Sequence, residues 1–216
     1  YYPVSILDKD EILRICREID IDGIVSIATD IAMITVNYVA DQMGLVGNDL
    51  VSTLVSTDKY EMRKALQRAN IPCPRFYFFD KPNFDSALCD IDFPAIVKPT
   101  DRSGSRGVTK VFGPEQVNAA ISKALTESIN GRVILEEFIV GREFSVESIS
   151  FKGNHIPLAV TDKETTGEPY FVEIAHHQPA DIPQEIAESI YTVTMETLDA
   201  LGIKDGAGHT EVFLTE

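Results

Sequence analysis

Basic side chains are concentrated in one short stretch of this sequence, "FPAIVKPTDRSGSRGVTKVF" at positions 93–112. It places Lys98, Arg102, Arg106 and Lys110 around the single acid Asp101, although the whole chain has 34 acidic and 19 basic residues and a net charge of −15. Ammonium and guanidinium groups donate charge-assisted hydrogen bonds to phosphate oxygens. The stretch therefore indicates a site for an anionic group, and a phosphate is the first candidate.

The segment "DRSGSRG" has the composition of an anion-binding loop. Gly104 and Gly107, with the small Ser103 and Ser105, allow backbone N–H groups to turn toward one point and form an anion nest. A plain β-hairpin turn between "AIVKP" and "GVTKVF" explains the same composition, because Gly and Ser are common in turns. Loop composition alone leaves both interpretations open.

Lys98 favours the phosphate interpretation. In an alternating strand over "AIVKP" its side chain shares a face with Ile96, so the ammonium group lies against a half-buried surface, where a lysine needs a partner. Two familiar phosphate sites are excluded by order and spacing. The chain has no GxxxxGK[ST] run, and its lysine precedes the glycine-rich loop, whereas a protein kinase places the lysine after that loop and adds HRD and DFG elements.

The elements that must position this loop indicate an α+β fold beyond about residue 58. Runs rich in aromatic and β-branched residues predict strands, and "EFSVESISF" and "HIPLAVTDKE" predict a hairpin joined at "KGN". Thr57 or Asp58 caps a predicted helix that stops before Pro72, and Pro114 occupies the first turn of another. The other predicted strands are "RFYFF", "AIVKP", "GVTKVF", "RVILEEFI" and "HTEVFLTE", and the last predicted helix is "IPQEIAESIYTVTMETLDALG".

The first 56 residues show a different rhythm. "DKDEILRICREID" and "DIAMITVNYVADQMG" predict helices, the second ended by Gly44, whereas "GIVSIA" and "LVG" predict buried strands. That alternation predicts the end of a parallel-sheet α/β unit whose earlier strands are missing.

The composition argues against several classes of partner and location. The net charge of −15 repels nucleic acids and anionic membranes, so neither is expected as a partner. Cys16, Cys73 and Cys89 are odd in number and lack CxxC spacing, which predicts reduced structural thiols. The chain shows no apolar run of bilayer length and no charged leader, so the cytoplasm is the expected location.

Three motifs follow one another in a recognisable order. Lys59 opens a helix, Lys98 ends a strand before the Gly/Ser loop, and "ILEEFIVGREFSVE" is followed by "GHTEVFLTE". This order resembles the ATP-grasp superfamily, which includes biotin carboxylase, carbamoyl phosphate synthetase, D-alanine:D-alanine ligase and L-amino-acid ligases. The resemblance runs from about Thr57 to Glu216 and implies two α+β subdomains, 57–138 and 139–216, that grip the nucleotide. Residues 1–56 would then be the C-terminal part of the preceding α/β domain.

The resemblance implies a role for each matching residue, with ATP and Mg2+ as cofactors. Lys59 and Lys98 resemble the two phosphate lysines, and Lys98 and Arg106 the catalytic cations. Glu143 resembles the carboxylate that takes the ribose hydroxyls, and Glu211 the first magnesium carboxylate. The mobile phosphate lid would comprise Ser103, Gly104, Ser105 and Gly107, and the hinge strand beside the adenine would comprise Glu136, Glu137, Phe138 and Ile139.

The reaction implied by the resemblance begins with attack of a carboxylate on the γ-phosphate of ATP. An amine or similar nucleophile, such as a thiol, then captures the acyl phosphate, so small carboxylate and amine substrates are the implied partners. A homodimer is kept open. The chain stops at "FLTE", before the family's second metal-binding strand, so we expect a fragment cut at both ends. A non-catalytic nucleotide-binding module for regulation or assembly is the alternative.

Simpler interpretations also stay open for single residues. They are an ordinary core strand for "VILEEFI", a solvated sheet face for Glu143, and surface positions for Lys59 and Glu211. A zinc site from His209, Glu211, His176 and His177 is conceivable but lacks a standard ligand spacing. Because His176 and His177 are adjacent in a predicted strand, they point to opposite faces and at most one reaches the site.

Overall fold

The computed structural model describes residues 1–27, 29–167 and 173–215. In these residues the helices are α1 (Lys9–Glu18), α2 (Ala32–Met43), α3 (Leu50–Thr57), α4 (Lys59–Arg68), α5 (Pro114–Glu127) and α6 (Gln184–Ala200). The strands are β1 (Phe76–Phe79), β2 (Ala95–Pro99), β3 (Thr109–Val111), β4 (Val133–Glu137), β5 (Arg142–Phe151), β6 (Asn154–Thr165), β7 (Glu173–His177) and β8 (Gly206–Leu214). The described strands pair in antiparallel fashion, with helices beside them, which confirms the α+β prediction.

The first sheet has the strand order β1-β4-β2-β3. Alternate residues of its strands point toward α5, and there Ala95, Val97, Val133 and Leu135 are completely buried against the apolar side of that helix. Register pairs Lys98 with Ile134 and Ile96 with Glu136, so these side chains share the opposite face. The first sheet therefore presents Lys98 and Glu136 away from α5, on the side that α4 approaches.

The second sheet has the strand order β7-β6-β5-β8. Phe144, Val146 and Val160 face α6 and form a core with Ile190. The predicted hairpin is confirmed, because β5 pairs with β6 and "KGN" lies at their junction. The residues between those that face α6, such as Glu143 and Ser145, point to the other face of the sheet.

Local end signals fix three helices where the sequence predicts them. The side chain of Asp58 accepts hydrogen bonds from the N–H groups of Tyr60 and Glu61, both at 3.0 Å, and so caps α4. Pro114 stands at the start of α5. Gly44 ends α2 with a φ of 67°, a left-handed conformation that glycine adopts without strain. These three predictions are confirmed.

Two predicted strands in the first part of the chain are wrong. Residues 23–27 of "GIVSIA" form no strand, and neither does "LVG"; Ala28 lies outside the described residues. Val25 and Ile27 are 83% and 85% exposed. An extended segment becomes a strand only when a neighbouring strand satisfies its N–H and C=O groups, and none of the described strands pairs with this segment.

Helix α3 has no counterpart in the sequence predictions, whereas β7 contains the strand predicted at His176 and His177. Helix α3 has the sequence "LVSTLVST", whose β-branched and hydroxyl residues have low helix propensity. It forms because the Asp49 side chain accepts a hydrogen bond from the N–H of Ser52 at 2.7 Å. Strand β7 is short and irregularly paired with β6, with a register shift between Glu164 and Thr165.

The helices are short or polar relative to membrane-spanning helices. None in the described part of the chain combines the length and the apolar composition that crossing a bilayer requires.

Candidate functional site

Lys98 belongs to a buried ion cluster on the α4 side of the first sheet, with Glu136 at its centre. Its Nζ is 2.5 Å from Oε2 of Glu136, and Oε1 of Glu136 accepts a hydrogen bond of 2.7 Å from Nε of Arg63 in α4. The Glu136 side chain is only 4% exposed. A lysine on this face thus has the buried acidic partner that its position requires.

The cluster holds Glu136 in its charged form. Burial alone would raise the pKa of this carboxyl, but the neighbouring cations Lys98 and Arg63 outweigh burial and lower the pKa to about 2. The carboxylate therefore remains ionised at any ordinary pH. The sequence predicts a hinge role for the main chain of Glu136 but gives no hint of this side-chain role.

Lys59 begins α4 and reaches toward the base of the Gly/Ser loop. Its Nζ donates a hydrogen bond of 2.6 Å to the carbonyl oxygen of Arg102. Burial and then the nearby charge of Lys98 lower the pKa of Lys59. The opposing charges that raise this pKa come from Asp30, Glu136 and Glu211.

The main chain links the two predicted phosphate lysines, because the N–H of Lys59 donates a hydrogen bond of 2.9 Å to the carbonyl oxygen of Thr100, two residues after Lys98. Lys98 is close enough to Lys59 to affect its ionisation, and Glu211, on the second sheet, also acts on Lys59. The ammonium groups therefore lie in one region, on the sides of the two sheets that carry their charged residues. Two ammonium groups held close together beside the Gly/Ser loop can bind a ligand that carries several negative charges.

The loop between β2 and β3 turns through left-handed backbone conformations. Gly104, Ser105 and Gly107 have φ values of 66°, 55° and 74°. At Gly107 any Cβ would stand 2.9 Å from Cγ of Pro99, so both conformation and space require glycine there. Ser103 and Ser105 are exposed.

The two arginines of the loop are engaged locally. Nε of Arg106 donates to the carbonyl oxygen of Ser103 at 3.2 Å, a contact inside the loop. Nε of Arg102 donates to the carbonyl oxygen of Glu127 at the end of α5. The structure thus places the predicted catalytic Arg106 on the exposed loop, and this contact does not join it to the Lys59–Lys98 pair.

The predicted hinge residues divide at the end of β4. Glu136 and Glu137 pair with β2, at Ile96 and Ala95, whereas Phe138 and Ile139 follow the strand. The Glu137 side chain turns to the sheet edge, where its Oε2 accepts from the N–H of Arg75 at 3.2 Å. Over the ring of Phe138 stands Nζ of Lys110, 3.6 Å from the centroid, a cation–π contact that links β3 to the hinge.

A buried lysine that the sequence predictions overlooked organises the second sheet. Lys163 of β6 has a side chain that is 1% exposed, and its Nζ lies 2.6–2.9 Å from one oxygen of each of three carboxylates. These carboxylates are Glu143 of β5, Glu173 of β7 and Glu211 of β8. Despite burial, which lowers it, the pKa of Lys163 is raised by its carboxylate partners.

The structure therefore joins the predicted ribose and metal carboxylates, Glu143 and Glu211, through one cation. The sequence contains no local signal for Lys163, because a register shift between Glu147 and Ser148 decides which face of β6 meets Glu143. Ser145 pairs with both Thr161 and Glu211, which puts β5, β6 and β8 side by side and the residues two positions further along on the same face.

The two histidines of β7 lie on different faces of the second sheet, His176 opposite Lys163 and His177 opposite Asp162. His176 and His177 take the opposite faces that the sequence predicts: Nε2 of His176 is 3.1 Å from Glu173, and Nε2 of His177 is 2.9 Å from Glu164. Residues 1–27, 29–167 and 173–215 contain no group of three or more His, Cys, Asp or Glu side chains that could hold a metal ion. The conceivable zinc site is therefore not assembled there.

Two surface hollows lie elsewhere on the molecule. They measure about 650 and 520 Å3 and are lined by the C-terminal ends of α4 and α6, including Ala69 and Asp199. None of the predicted site residues lines them.

Known proteins are similar to this chain in sequence and in fold. Residues 91–216 match the family model described as an ATP-grasp domain. The D-alanine--D-alanine ligase of Oceanobacillus iheyensis is 28% identical over 186 residues, which cover 79% of this chain and 49% of that protein. The alanine--anticapsin ligase of Bacillus amyloliquefaciens is 26% identical and covers 95% of this chain and 48% of its own length.

A solved structure gives the same picture. The L-amino acid ligase from Bacillus licheniformis superposes with a TM-score of 0.81 at 26% identity, over 95% of this chain and 48% of that one. The chain thus spans about half the length of the relatives it matches.

Proposed function

Because the chain belongs to the ATP-grasp domain family, whose model matches residues 91–216, we propose that it is the nucleotide-binding portion of an ATP-dependent ligase. The ligase would join a small carboxylate to an amine or a thiol. The observation that supports this most strongly is the convergence of Lys59 and Lys98 at the base of the Gly/Ser loop.

The proposed binding mode uses the two sheets for different parts of ATP. Lys59, Lys98 and the loop at 103–107 would hold the triphosphate, and the segment 136–139 would contact the adenine. Glu143 would accept hydrogen bonds from the ribose hydroxyls. In this proposal residues 57–138 and 139–216 are the two units that enclose the nucleotide, and residues 1–56 belong to the domain that precedes them.

Glu211 fits a magnesium–phosphate site. Mg2+ in such sites is held by one or two carboxylates and by phosphate oxygens and waters, and Glu211 is a carboxylate that is 54% exposed on the acidic face of the second sheet. When bound, the ion would neutralise charge on the transferring phosphoryl group.

The proposed reaction needs little covalent help from the protein. A substrate carboxylate oxygen forms a bond to the γ-phosphorus as the bond to the β-phosphate oxygen breaks, which releases ADP and leaves an acyl phosphate. The nucleophile then attacks the acyl carbon, loses its proton and displaces phosphate. Lys59, Lys98 and Arg106 would hold positive charge at the phosphoryl oxygens, and the loop would exclude water.

A second candidate is a non-catalytic nucleotide-binding module of the same fold. One observation favours it: the predicted metal carboxylate Glu211 already pairs with a cation, since its Oε1 lies 2.6 Å from Nζ of Lys163. Acceptor-dependent release of ADP by the full-length protein would separate the candidates, since a module binds nucleotide without turnover under any acceptor.

Calorimetric titration with a non-hydrolysable ATP analogue and Mg2+ tests the binding proposal. Lys98→Ala removes a charge-assisted contact of about 1.5–3 kcal/mol, so the analogue affinity should fall about tenfold to hundredfold. Lys123→Ala is the matched control, because Lys123 is an exposed lysine of α5. Equal affinities for the two variants would contradict the proposal.

A further inference from the structure

Lys59 and Lys98 need a structural element that holds them together. Their like charges repel, and each is carried by a different element, α4 and β2. Glu136 connects Lys98 to Arg63 of α4, but Arg63 lies one turn after Lys59, and the Arg102 carbonyl that binds Lys59 lies beyond the end of β2. Holding the two ammonium groups at a fixed separation therefore requires a connection between the start of α4 and the end of β2.

Asp58 makes such a connection with its side chain. Oδ1 caps α4 through the N–H groups of residues 60 and 61. Oδ2 points to the end of β2 and accepts three hydrogen bonds. The donors are Oγ1 of Thr100 at 2.7 Å, Nδ2 of Asn130 at 3.1 Å and Nη1 of Arg132 at 3.2 Å. The Asp58 side chain is 4% exposed, so these contacts are shielded from water.

Thr100 makes the same connection with its main chain. Its carbonyl oxygen accepts a hydrogen bond of 2.9 Å from the N–H of Lys59, and its own N–H donates a hydrogen bond of 3.1 Å to the carbonyl oxygen of Arg132. Thr100 is completely buried. It follows Lys98 by two residues and lies directly after the end of β2.

We propose that Asp58 and Thr100 are a pair of positioning residues that fix the separation of the Lys59 and Lys98 ammonium groups for a triphosphate. The inference rests on the proposed function, because it gives those lysines their ligand. The Asp58–Thr100 hydrogen bond spans the two lysine-bearing segments one residue from Lys59 and two residues from Lys98. Its loss lets α4 shift relative to β2, which changes the gap between the ammonium groups but leaves the adenine and ribose contacts unchanged.

Thr100→Val is the deciding variant, since it replaces the hydroxyl by a methyl group of similar size. The affinity for a non-hydrolysable ATP analogue with Mg2+ should fall about tenfold, the effect of one buried hydrogen bond. The affinity for adenosine should stay within about twofold. Thr100→Ser, which restores the hydroxyl, should recover analogue binding. A merely structural role would not move the analogue-to-adenosine ratio.

Thr194→Val is the matched control for fold stability. Thr194 is also a completely buried threonine, and its Oγ1 donates to the carbonyl of Ile190 at 2.8 Å, within α6. This variant also removes a buried, hydrogen-bonded hydroxyl, but far from both lysines, so the analogue-to-adenosine affinity ratio should be unchanged. The same ratio in both variants would overturn the positioning role.

Asp58→Ser gives an independent check, because serine can still cap α4 but is too short to reach Thr100. Its control is Asp49→Ser at the cap of α3. We expect Asp58→Ser, but not Asp49→Ser, to lower the ratio of analogue affinity to adenosine affinity. Equal ratios in the two variants would argue against the positioning role of Asp58 and Thr100. If the unmodified protein fails to bind the analogue, the proposed function is wrong; if it binds and these variants keep its ratio, only the positioning role is wrong.

Discussion

The two sheets bury ions of opposite sign in the same manner. In the first, the acid Glu136 is enclosed by two cations, Lys98 and Arg63. In the second, the cation Lys163 is enclosed by three acids, Glu143, Glu173 and Glu211. The central side chains are almost equally buried, at 4% and 1% exposure.

The clusters differ in how far their outer members reach solvent. The side chains of Lys98 and Arg63 are both 19% exposed, whereas those of Glu211 and Glu173 are 54% and 46% exposed. A charge that remains near water keeps most of its hydration when its partner is lost. The first cluster should therefore matter more for stability, and the second leaves carboxylates accessible to ligands.

Glu136→Gln should produce the largest loss of stability. The variant keeps the shape of the side chain but leaves Lys98 and Arg63 without their buried counter-ion, so the free energy of unfolding should fall by about 3–5 kcal/mol. Urea denaturation measures it. Glu137→Gln is the neighbouring control, with a 34% exposed side chain, and should change stability by less than about 0.5 kcal/mol. Similar losses would contradict the view of the first cluster as a sealed ion group.

The pH dependence of stability should show the same cluster. The folded pKa of Glu136 is about 2, below its ordinary value of 4.5, so its contribution is complete above pH 4.5 and is lost as the pH falls toward 2. The contribution is about 3 kcal/mol, and Glu136→Gln should flatten this acid limb of the stability profile. The pKa of Lys163 is raised above its ordinary value of 10.5, so its contribution to stability is complete below pH 10.5. That contribution is lost only at more alkaline pH. An unchanged acid limb in the Glu136→Gln variant would contradict the assignment.

Lys163→Met should be less harmful than Glu136→Gln. The three carboxylates left behind repel one another but retain contact with water, so we expect a loss of about 2 kcal/mol in the free energy of unfolding. Lys123→Met on the exposed side of α5 serves as the control and should be nearly neutral. If Lys163→Met destabilises more than Glu136→Gln, the second cluster is the sealed one and the comparison is reversed.

The smallest effects should come from polar groups on the covered faces of the sheets. In the first sheet, the buried Oγ1 of Thr109 has no hydrogen-bond partner in the described residues, and its register partner Val97 faces the α5 core. In the second, Oγ of Ser150 is 2.8 Å from Nδ1 of His155. Thr109→Val should therefore be neutral or stabilise by up to about 1 kcal/mol, whereas Ser150→Ala should destabilise by about 1 kcal/mol.

Thermal denaturation of both variants, with Thr194→Val as a reference for a buried and bonded hydroxyl, measures this difference. Destabilisation by Thr109→Val equal to that of Ser150→Ala would show that Thr109 does have a stabilising partner.

Local patterns were sufficient for most of the elements and for the positions of Lys59 at the start of α4 and Lys98 in β2. The cap at Asp58, the hairpin at "KGN" and the lysine at the end of β2 depend on residues close in sequence, and each is confirmed. Strand pairing needs distant partners, which explains the wrong strand at residues 23–27.

Side-chain partnerships across the sheets were the main omission. Glu136 meets Lys98 because β4 lies between β1 and β2, and Lys163 meets Glu211 because β5 lies between β6 and β8. The order of strands in a sheet does not follow from the order of strands in the sequence, so neither buried ion cluster was predictable from local patterns.

Separate titrations with inorganic triphosphate and with adenosine test the central claim, that the first sheet binds the phosphates and the second the ribose. The affinity for each of the two ligands is measured in Lys98→Ala and in Glu143→Ala, and each value is compared with that of the unmodified protein. Lys98→Ala should weaken triphosphate binding at least tenfold and leave adenosine binding within about twofold, and Glu143→Ala should do the reverse. Equal weakening of both ligands by either variant would contradict this division between the two sheets.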